Sequence, residues 1–248
     1  MTFIHNINPT ILNLGFLEIR WYGLMYVLAF FFVYFYVKHR INQGKTKLTL
    51  KQLDDLLVWE TIGLIVGSRI VNTFYYPTYY LAKPWEVLFI WKGGMSYFGG
   101  LIGLAIVTYY FCKKYKFNFF HLTDLLVVPL SIGQAVGRIG NFINGELYGT
   151  PTSLPLGVQF PIDEIYRHPT QIYQFLTSAF IFVILWFNKD KFKQGQLFAL
   201  YLIMYGTFRF FTEFLRAEIV MWIGPLTLSQ IFCIPTVIVG IYLLRRLK

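Results

Sequence analysis

Residues 122–149 read LTDLLVVPLSIGQAVGRIGNFINGELYG, an apolar stretch that runs directly into a group of polar side chains. Arg138, Asn141, Asn144 and Glu146 all fall within nine positions. Charged and amide side chains close to hydrocarbon are costly, and they usually face a cavity, a partner or a substrate. This segment is therefore the first candidate for a functional site.

The chain as a whole is also strongly apolar: of its 248 residues, 56% are hydrophobic and only 14% are charged. Ordinary soluble domains carry about 25% charged residues. Roughly 17–25 apolar residues are enough to cross a bilayer, and such spans are predicted at 21–37, 56–76, 94–112, 122–138, 170–188, 195–214 and 228–246. The expected fold is all-α: one polytopic membrane domain over residues 1–248 with seven transmembrane helices.

The net charge of +10 does not indicate nucleic-acid binding, because the basic residues are concentrated in alternate loops. They follow the first, third, fifth and seventh spans, at Lys38, Arg40, Lys45, Lys47, Lys51, Lys113, Lys114, Lys116, Lys189, Lys191, Lys193, Arg245, Arg246 and Lys248. The positive-inside rule makes these loops cytoplasmic. The N-terminus is then expected outside and the C-terminus in the cytoplasm. Residues 1–19 contain no Lys or Arg, so the first span is expected to be retained rather than cleaved as a signal peptide.

In this orientation the unusual polar residues gather at the outer ends of the spans. Besides the residues of the opening segment, they include Tyr22, Arg69, Ser96, Tyr97, His168, Gln171, Ser229 and Gln230. The chain has no HExxH, CxxC, GxSxG or glycine-lysine phosphate loop, so metal-dependent hydrolysis and nucleoside-triphosphate chemistry find no support. His168 fits either a helix cap or a group that transfers protons.

The sixth span carries the sharpest pattern, because Tyr205, Arg209, Glu213 and Arg216 share one helical face. One interpretation is an internal ion pair between Arg209 and Glu213 that only pins helices together. The other is that Arg138 and Arg209 bind an anionic oxygen group, since a guanidinium contacts two phosphate oxygens at once. A cavity of this kind in the outer leaflet fits a phospholipid headgroup.

Five segments, in order, resemble the signature blocks of the prolipoprotein diacylglyceryl transferase family. They are RWYGLMY (20–26), GGMSYFGGLIG (93–103), GRIGNFINGELYG (137–149), RHPTQIYQ (167–174) and YGTFRFFTEFLR (205–216). The resemblance covers about residues 9–245. It implies transfer of the diacylglyceryl group from phosphatidylglycerol to the lipobox cysteine thiol of a bacterial prolipoprotein, with release of glycerol phosphate. It also implies a cytoplasmic (inner) membrane protein with its site towards the periplasm or cell exterior, and neither metal nor cofactor.

The resemblance and the outer polar residues together give an expected site. The predicted catalytic residues are Tyr22, Arg138, Asn141, Glu146, Arg209 and Glu213. The predicted substrate-binding residues are Arg138, Arg209, Gly149, Tyr205, Ser96, Tyr97, His168 and Gln171. The resemblance assigns the lipid phosphate to Arg138 and Arg209. Because the prolipoprotein supplies the sulfur nucleophile, the enzyme itself needs no catalytic cysteine.

Phe98 departs from the family pattern, which carries a histidine, regarded as the base, immediately before the second glycine pair. One explanation is a transferase in which Tyr97, Glu146, His168 or water receives the thiol proton. A second is a paralogue that binds phosphatidylglycerol without transferring it, and a third is different chemistry on the same lipid. A transporter with the same outer cavity is a further alternative, although no internal repeat is detectable. Gln174 and Arg20 are smaller departures, because the family often has an acid at the first position and some members have histidine at the second.

Overall fold

The computed structural model describes residues 3–15, 18–89, 94–217 and 222–247, and most of them are helical. The chain forms two compact units: Met1–Tyr36 with Asp124–Lys248, and Val37–Thr123. The helices are α1 (Trp21–Asn42), α2 (Leu50–Tyr75), α3 (Pro77–Ala82), α4 (Tyr97–Tyr115), α5 (Phe119–Ile143), α6 (Thr170–Asn188), α7 (Gln196–Glu213) and α8 (Leu228–Arg246), with a 3₁₀ turn at Pro84–Leu88.

Long helices occupy the positions of all seven predicted spans. Within the described residues, α1, α2, α5, α6 and α8 are long and apolar enough to cross a membrane, so the chain is a helical, multi-pass membrane protein. The remaining two, α4 and α7, contain charged residues that lower their mean hydropathy: Lys113 and Lys114 in α4, and Arg209 and Glu213 in α7. Of the seven helices at the predicted spans, five are therefore apolar enough to cross a membrane by mean hydropathy, and α4 and α7 are less apolar.

Helix α5 continues five residues beyond the predicted end of its apolar stretch at 138. Arg138 and Asn141 consequently lie inside its last turns rather than in a following loop. The predicted span ends at Arg138, where the sequence becomes polar, but backbone hydrogen bonds carry the helix onward to Ile143. The helical geometry therefore puts Arg138 and Asn141, three residues apart, on the same face.

Helices α2 and α4 pack through paired glycines in the unit Val37–Thr123. Gly63 and Gly67 on α2 face Gly99 and Gly103 on α4, so closely that a Cβ on Gly103 would overlap the carbonyl oxygen of Gly63. Small residues four apart permit this close backbone approach. At its start, α2 is fixed by Thr49, which exchanges hydrogen bonds with Gln52 in a capping box.

Short strands precede α1 and lie between some of the later helices, and the all-α prediction did not include them. β1 (Phe3–Ile4) runs parallel to β4 (Val158–Gln159), which pairs antiparallel with β5 (Tyr166–Arg167). β2 (Thr10–Asn13) and β3 (Glu18–Arg20) form one antiparallel pair, and β6 (Trp222–Ile223) and β7 (Leu226–Thr227) form another. Each strand has only two to four residues, too short to show the alternation by which strands are recognised.

A small apolar core supports the segment between α5 and α6. Tyr148, Val158 and Phe160 are buried in it, and Phe142 from the end of α5 packs against them. The ring of His5 joins this core, with its Nε2 atom 2.7 Å from the carbonyl oxygen of Phe142. The segment that follows the polar motif is therefore folded against the end of α5.

The glycine contact between α2 and α4 gives a test of stability. We expect Gly103→Ala to lower the free energy of unfolding by about 1–3 kcal/mol, because a methyl group has no room there. The measurement is denaturant unfolding in detergent. Gly137→Ala is the control, since a Cβ on Gly137 of α5 meets no described atom within 4 Å. Equal stability of the two variants would contradict the tight contact.

Candidate functional site

The polar motif at the end of α5 forms a chain of hydrogen bonds from a guanidinium to a carboxylate. Arg138 Nη1 donates to Asn141 Oδ1 over 3.1 Å, and Asn141 Nδ2 donates to Glu146 Oε1 over 2.7 Å. The Asn144 amide approaches the same carboxylate oxygen at 3.4 Å. The backbone turns sharply here, with positive φ at Gly145 and Leu147. Arg138, Asn141 and Glu146, predicted together from sequence, are thus joined in the structure.

The start of α6 holds this motif by its backbone. Thr170 Oγ1 donates to the carbonyl oxygen of Leu147 over 2.6 Å, and Gln171 Nε2 donates to that of Glu146 over 2.5 Å. Both α6 side chains are buried. Gln171, predicted as a substrate-binding residue, therefore contacts the motif that carries Glu146.

Gly149 sits where two backbone segments converge. Its N–H donates to the carbonyl oxygen of His168 over 2.8 Å, and the next N–H, of Thr150, donates to that of Leu215 over 2.8 Å. A Cβ on Gly149 would lie 2.5 Å from the Leu215 oxygen and 2.6 Å from the His168 Cβ. Glycine is needed here for close packing, which connects the motif with the segment after α7.

His168 and its neighbours are held by local contacts. Its Nδ1 lies 3.2 Å from the Tyr173 hydroxyl. The preceding residue, Arg167, pairs with Asp163, and this guanidinium lowers the pKa of the Asp163 carboxyl. Arg167 also lies over the Tyr148 ring, 5.3 Å from its centroid. The contact with Tyr148 connects β5 to the small core, immediately before His168.

Glu213 lies between two arginines at the end of α7. Its Oε2 is 2.7 Å from Arg209 Nη2 and 3.6 Å from Arg216 Nη1, and only 2% of its side chain is exposed. Thr227 Oγ1 approaches the other carboxylate oxygen at 3.4 Å. The Arg209–Glu213 ion pair considered from sequence is therefore present.

One nitrogen of the Arg209 guanidinium takes no part in this ion pair. Its Nη1 is buried and has no hydrogen-bond partner among the described residues. Arg209 and Arg138 line one pocket, together with Gln134, Gln174, Thr177, Ser178, Ile181, Tyr205, Phe208 and Thr212. Helices α5, α6 and α7 all contribute to the wall. The pocket thus brings together the two arginines and Tyr205 of the predicted site.

Tyr22 lies near the start of α1, where it packs against the motif helix. A Cβ on Gly140 would be 3.0 Å from the Tyr22 ring, so the missing side chain makes room for the tyrosine. The Tyr22 hydroxyl is 2.9 Å from that of Tyr26. Tyr22 is therefore beside Gly140, one residue before Asn141.

The predicted residues Ser96 and Tyr97 belong to the unit Val37–Thr123. Ser96 caps α4 by accepting a hydrogen bond from Gly99 N–H over 3.2 Å, and its hydroxyl donates to that of Tyr75. Tyr97 begins α4, and its side chain lies outside the described part of the structure. Phe98, next in the helix, is half-buried.

Five polar pocket residues were not predicted to bind substrate: Gln134, Gln174, Thr177, Ser178 and Thr212. The sequence carries a signal for two of them, because Gln174 and Ser178 continue a four-residue spacing that begins at Thr170 on α6. Arg209 and Glu213 have the same spacing on α7. Charged residues make such a spacing conspicuous in an apolar helix, whereas uncharged polar residues do not.

The buried position of Glu213 gives a second test. We expect Glu213→Gln to lower the free energy of unfolding by about 3 kcal/mol or more, because two guanidinium groups lose their buried counter-charge. Denaturant unfolding in detergent measures the loss. Glu18→Gln is the matched control: the Glu18–Arg20 pair is largely exposed, and such pairs contribute less than about 1 kcal/mol. A loss no larger than the control's would show that Glu213 does not hold this end of α7.

The apolar helices and the arginine-lined pocket define a multi-pass membrane protein with a candidate anion site. The profile of the family described as "Prolipoprotein diacylglyceryl transferase" matches residues 9–246. The chain belongs to the prolipoprotein diacylglyceryl transferase family and is a transferase of lipoprotein biosynthesis. The family resemblance of the five sequence blocks is therefore confirmed.

Similar proteins from several bacteria carry the name phosphatidylglycerol–prolipoprotein diacylglyceryl transferase. One from Bordetella parapertussis is 40% identical over 94% of this chain and 93% of its own length. One from Polynucleobacter asymbioticus is 42% identical, covering 96% of this chain and 95% of its own. A third, from Rickettsia bellii, is 41% identical, covering 99% and 97%. Each match extends over nearly the full length of this chain and of the similar protein.

Proposed function

We propose that this chain transfers the diacylglyceryl group of phosphatidylglycerol to the cysteine thiol of a prolipoprotein lipobox. The assignment of the lipid phosphate rests on one observation: the buried Nη1 atom of Arg209, in a pocket shared with Arg138, has no hydrogen-bond partner among the residues that the structure describes. A buried guanidinium nitrogen without an acceptor is costly, and an anionic oxygen satisfies it. Family membership supplies the identity of the two substrates.

The proposed setting is the cytoplasmic (inner) membrane, with residues 1–248 acting as one transferase domain. Seven helices cross the bilayer, the N-terminus lies outside and the C-terminus lies in the cytoplasm. The alternation of basic loops supports this orientation. Arg138, Glu146 and Arg209 then lie towards the external face, where a prolipoprotein presents its lipobox.

The chemistry is a displacement at carbon. A sulfur–carbon bond forms between the cysteine and the glyceryl group, while the carbon–oxygen bond to the phosphate breaks. Glycerol phosphate leaves with the electron pair, and the thiol proton passes to a base. Arg138 and Arg209 stabilise the charge that develops on the leaving oxygen. The step balances without an oxidant or a cofactor.

Glu146 is the proposed acceptor of the thiol proton. Its Oε1 receives the amides of Asn141 and Asn144, whereas Oε2 accepts no hydrogen bond from a described residue. Of the other candidates, His168 is engaged by Tyr173. Asn141 links Glu146 to Arg138, so this carboxylate is connected to the group that binds the phosphate.

The direct experiment supplies phosphatidylglycerol and lipobox peptides and follows glycerol phosphate release and peptide mass. We expect Arg209→Lys to lower kcat/KM by about tenfold to a hundredfold, because an ammonium cannot reproduce the guanidinium's paired hydrogen bonds. Arg246→Lys, at the C-terminal end of α8, is the matched control. No product from folded protein with several peptides would refute the transferase activity, and full turnover of Arg209→Lys would remove Arg209 from the phosphate site.

The role of Glu146 in proton transfer is tested with one substitution that should lower activity and a second that should restore part of it. We expect Glu146→Gln to lower kcat by about 10²–10⁴-fold, the usual contribution of a general base. Phe98→His should preserve or raise activity in the wild-type chain and restore part of it in Glu146→Gln, because the family carries its histidine at this position. The same peptide assay measures both. Normal turnover by Glu146→Gln would exclude it as the base, and loss of activity in Phe98→His would show a positive role for the phenylalanine.

A further inference from the structure

The pocket of Arg138 and Arg209 extends along the helices beyond both guanidinium groups. One helical turn, about 5.4 Å, separates residues that lie four apart on one face. Each helix of the wall contributes such a pair: Arg138 and Gln134 on α5, Gln174 and Ser178 on α6, Arg209 and Tyr205 on α7. We call Arg138, Gln174 and Arg209 the outer layer, and Gln134, Ser178 and Tyr205 the inner layer.

The order of the layers follows from the helix directions. α5 ends at Ile143 and α7 ends at Glu213, whereas α6 begins at Thr170. Thr170 bonds to the backbone just after α5, and Gly149 forms a bridge with Arg216 just after α7. These three helix ends therefore lie together. The inner layer is one turn further from them on every helix.

The two layers differ in chemistry. The outer layer has two cationic side chains, while the inner layer has an amide and two hydroxyl groups and no charge. Ile181 and Phe208 add apolar surface to the same wall. The pocket thus combines a cationic layer, a neutral layer of hydrogen-bonding groups and apolar side chains.

Two of these polar side chains have unused hydrogen-bonding capacity. Gln174 is 8% exposed and Ser178 is 6% exposed, yet neither side chain bonds to any residue that the structure describes. Polar groups of largely buried side chains are normally hydrogen-bonded to protein, to water or to a ligand. A ligand in the pocket that presents polar atoms at both layers would satisfy them.

We propose that the inner layer binds the ester carbonyl oxygens of the diacylglyceryl group. This rests on the proposed function, in which the outer-layer arginines bind the lipid phosphate. In phosphatidylglycerol one acyl ester is on the carbon next to the phosphate-bearing carbon, and the second is one carbon further. Ester carbonyls only accept hydrogen bonds, and serine, tyrosine and glutamine side chains all donate them. The acyl chains continue from the esters, which agrees with the apolar side chains in the same wall.

This arrangement also fixes the carbon that reacts. The attacked carbon lies between the phosphate and the first ester, so contacts at both layers hold it from two sides. Holding a reacting atom in the geometry of attack removes part of the entropic cost of the reaction. The inner layer therefore contributes to selectivity for diester lipids and to the rate of transfer.

The test compares Ser178→Ala with wild type on three lipids: diester phosphatidylglycerol, its diether analogue and diester phosphatidic acid. The diether lipid lacks the carbonyls, and phosphatidic acid lacks the head glycerol. We expect wild type to prefer the diester over the diether in kcat/KM, and Ser178→Ala to reduce that preference by about threefold to tenfold, the effect of one hydrogen bond. Ser131→Ala is the matched control, because the buried Ser131 hydroxyl bonds to Val128 within α5.

Three results would overturn the proposal: no diester preference in wild type, equal losses on diester and diether lipids in Ser178→Ala, or a change only in the preference for phosphatidylglycerol over phosphatidic acid. The last result would place the head-glycerol hydroxyls at this layer. Tyr205→Phe, which removes one inner-layer hydroxyl, replaces Ser178→Ala if that variant does not fold. If wild type lipidates no peptide, the proposed function fails; competition between diester and diether lipids for binding to the purified protein then decides the inner-layer proposal by itself.

Discussion

The arrangement of the pocket depends on the contacts of one buried carboxylate, that of Glu213. A charge with 2% exposure is tolerable only with counter-charges and hydrogen bonds around it, and Arg209, Arg216 and Thr227 provide them. Because these groups come from α7, the segment after it and the start of α8, satisfying Glu213 brings three parts of the chain together. It also fixes Arg209 by Nη2, whereas Nη1 has no hydrogen-bond partner in the described part of the chain. In the proposed function, one arginine therefore serves both the internal ion pair and the binding of the lipid phosphate.

The second constraint is the backbone between α5 and α6. The carbonyl oxygens of Glu146 and Leu147 are bound by side chains at the start of α6, and Gly149 lets two further segments approach. With the backbone held, the amides of Asn141 and Asn144 can orient the Glu146 carboxylate. Several residues predicted to bind substrate, such as Gln171 and Gly149, have contacts that position this motif. In the proposed function they would therefore act on the reaction indirectly, by positioning Glu146 and Arg138.

Sequence was sufficient for the helices and for the charged part of the site, since spans and a charged stripe both leave periodic signals. The Arg209–Glu213 spacing led directly to the contact that is seen. The α6 side of the pocket was not predicted because Gln174 and Ser178 are uncharged, so only their four-residue spacing distinguishes them from other polar residues in an apolar helix. The paired strands were missed because two-residue strands depend on partners far along the chain: β1 pairs with β4. The end of α5 was placed too early because hydropathy falls at Arg138 while the helix continues.

The phenylalanine at position 98, where the family has histidine, is easier to explain if lipid binding and activation of the sulfur depend on different residues. In the proposed function the two arginines act on the phosphate and its leaving oxygen, and the residues that contact them, Glu213 and Asn141, belong to α7 and α5. Loss of an imidazole at position 98 would therefore leave phosphate recognition intact and affect only removal of the thiol proton. A carboxylate can take over that proton only if it is close to the sulfur and has an oxygen available, and Glu146 Oε2 accepts no hydrogen bond within the described part of the chain. The geometry of the bound peptide, rather than that of the lipid, then determines how well this chain works without the histidine.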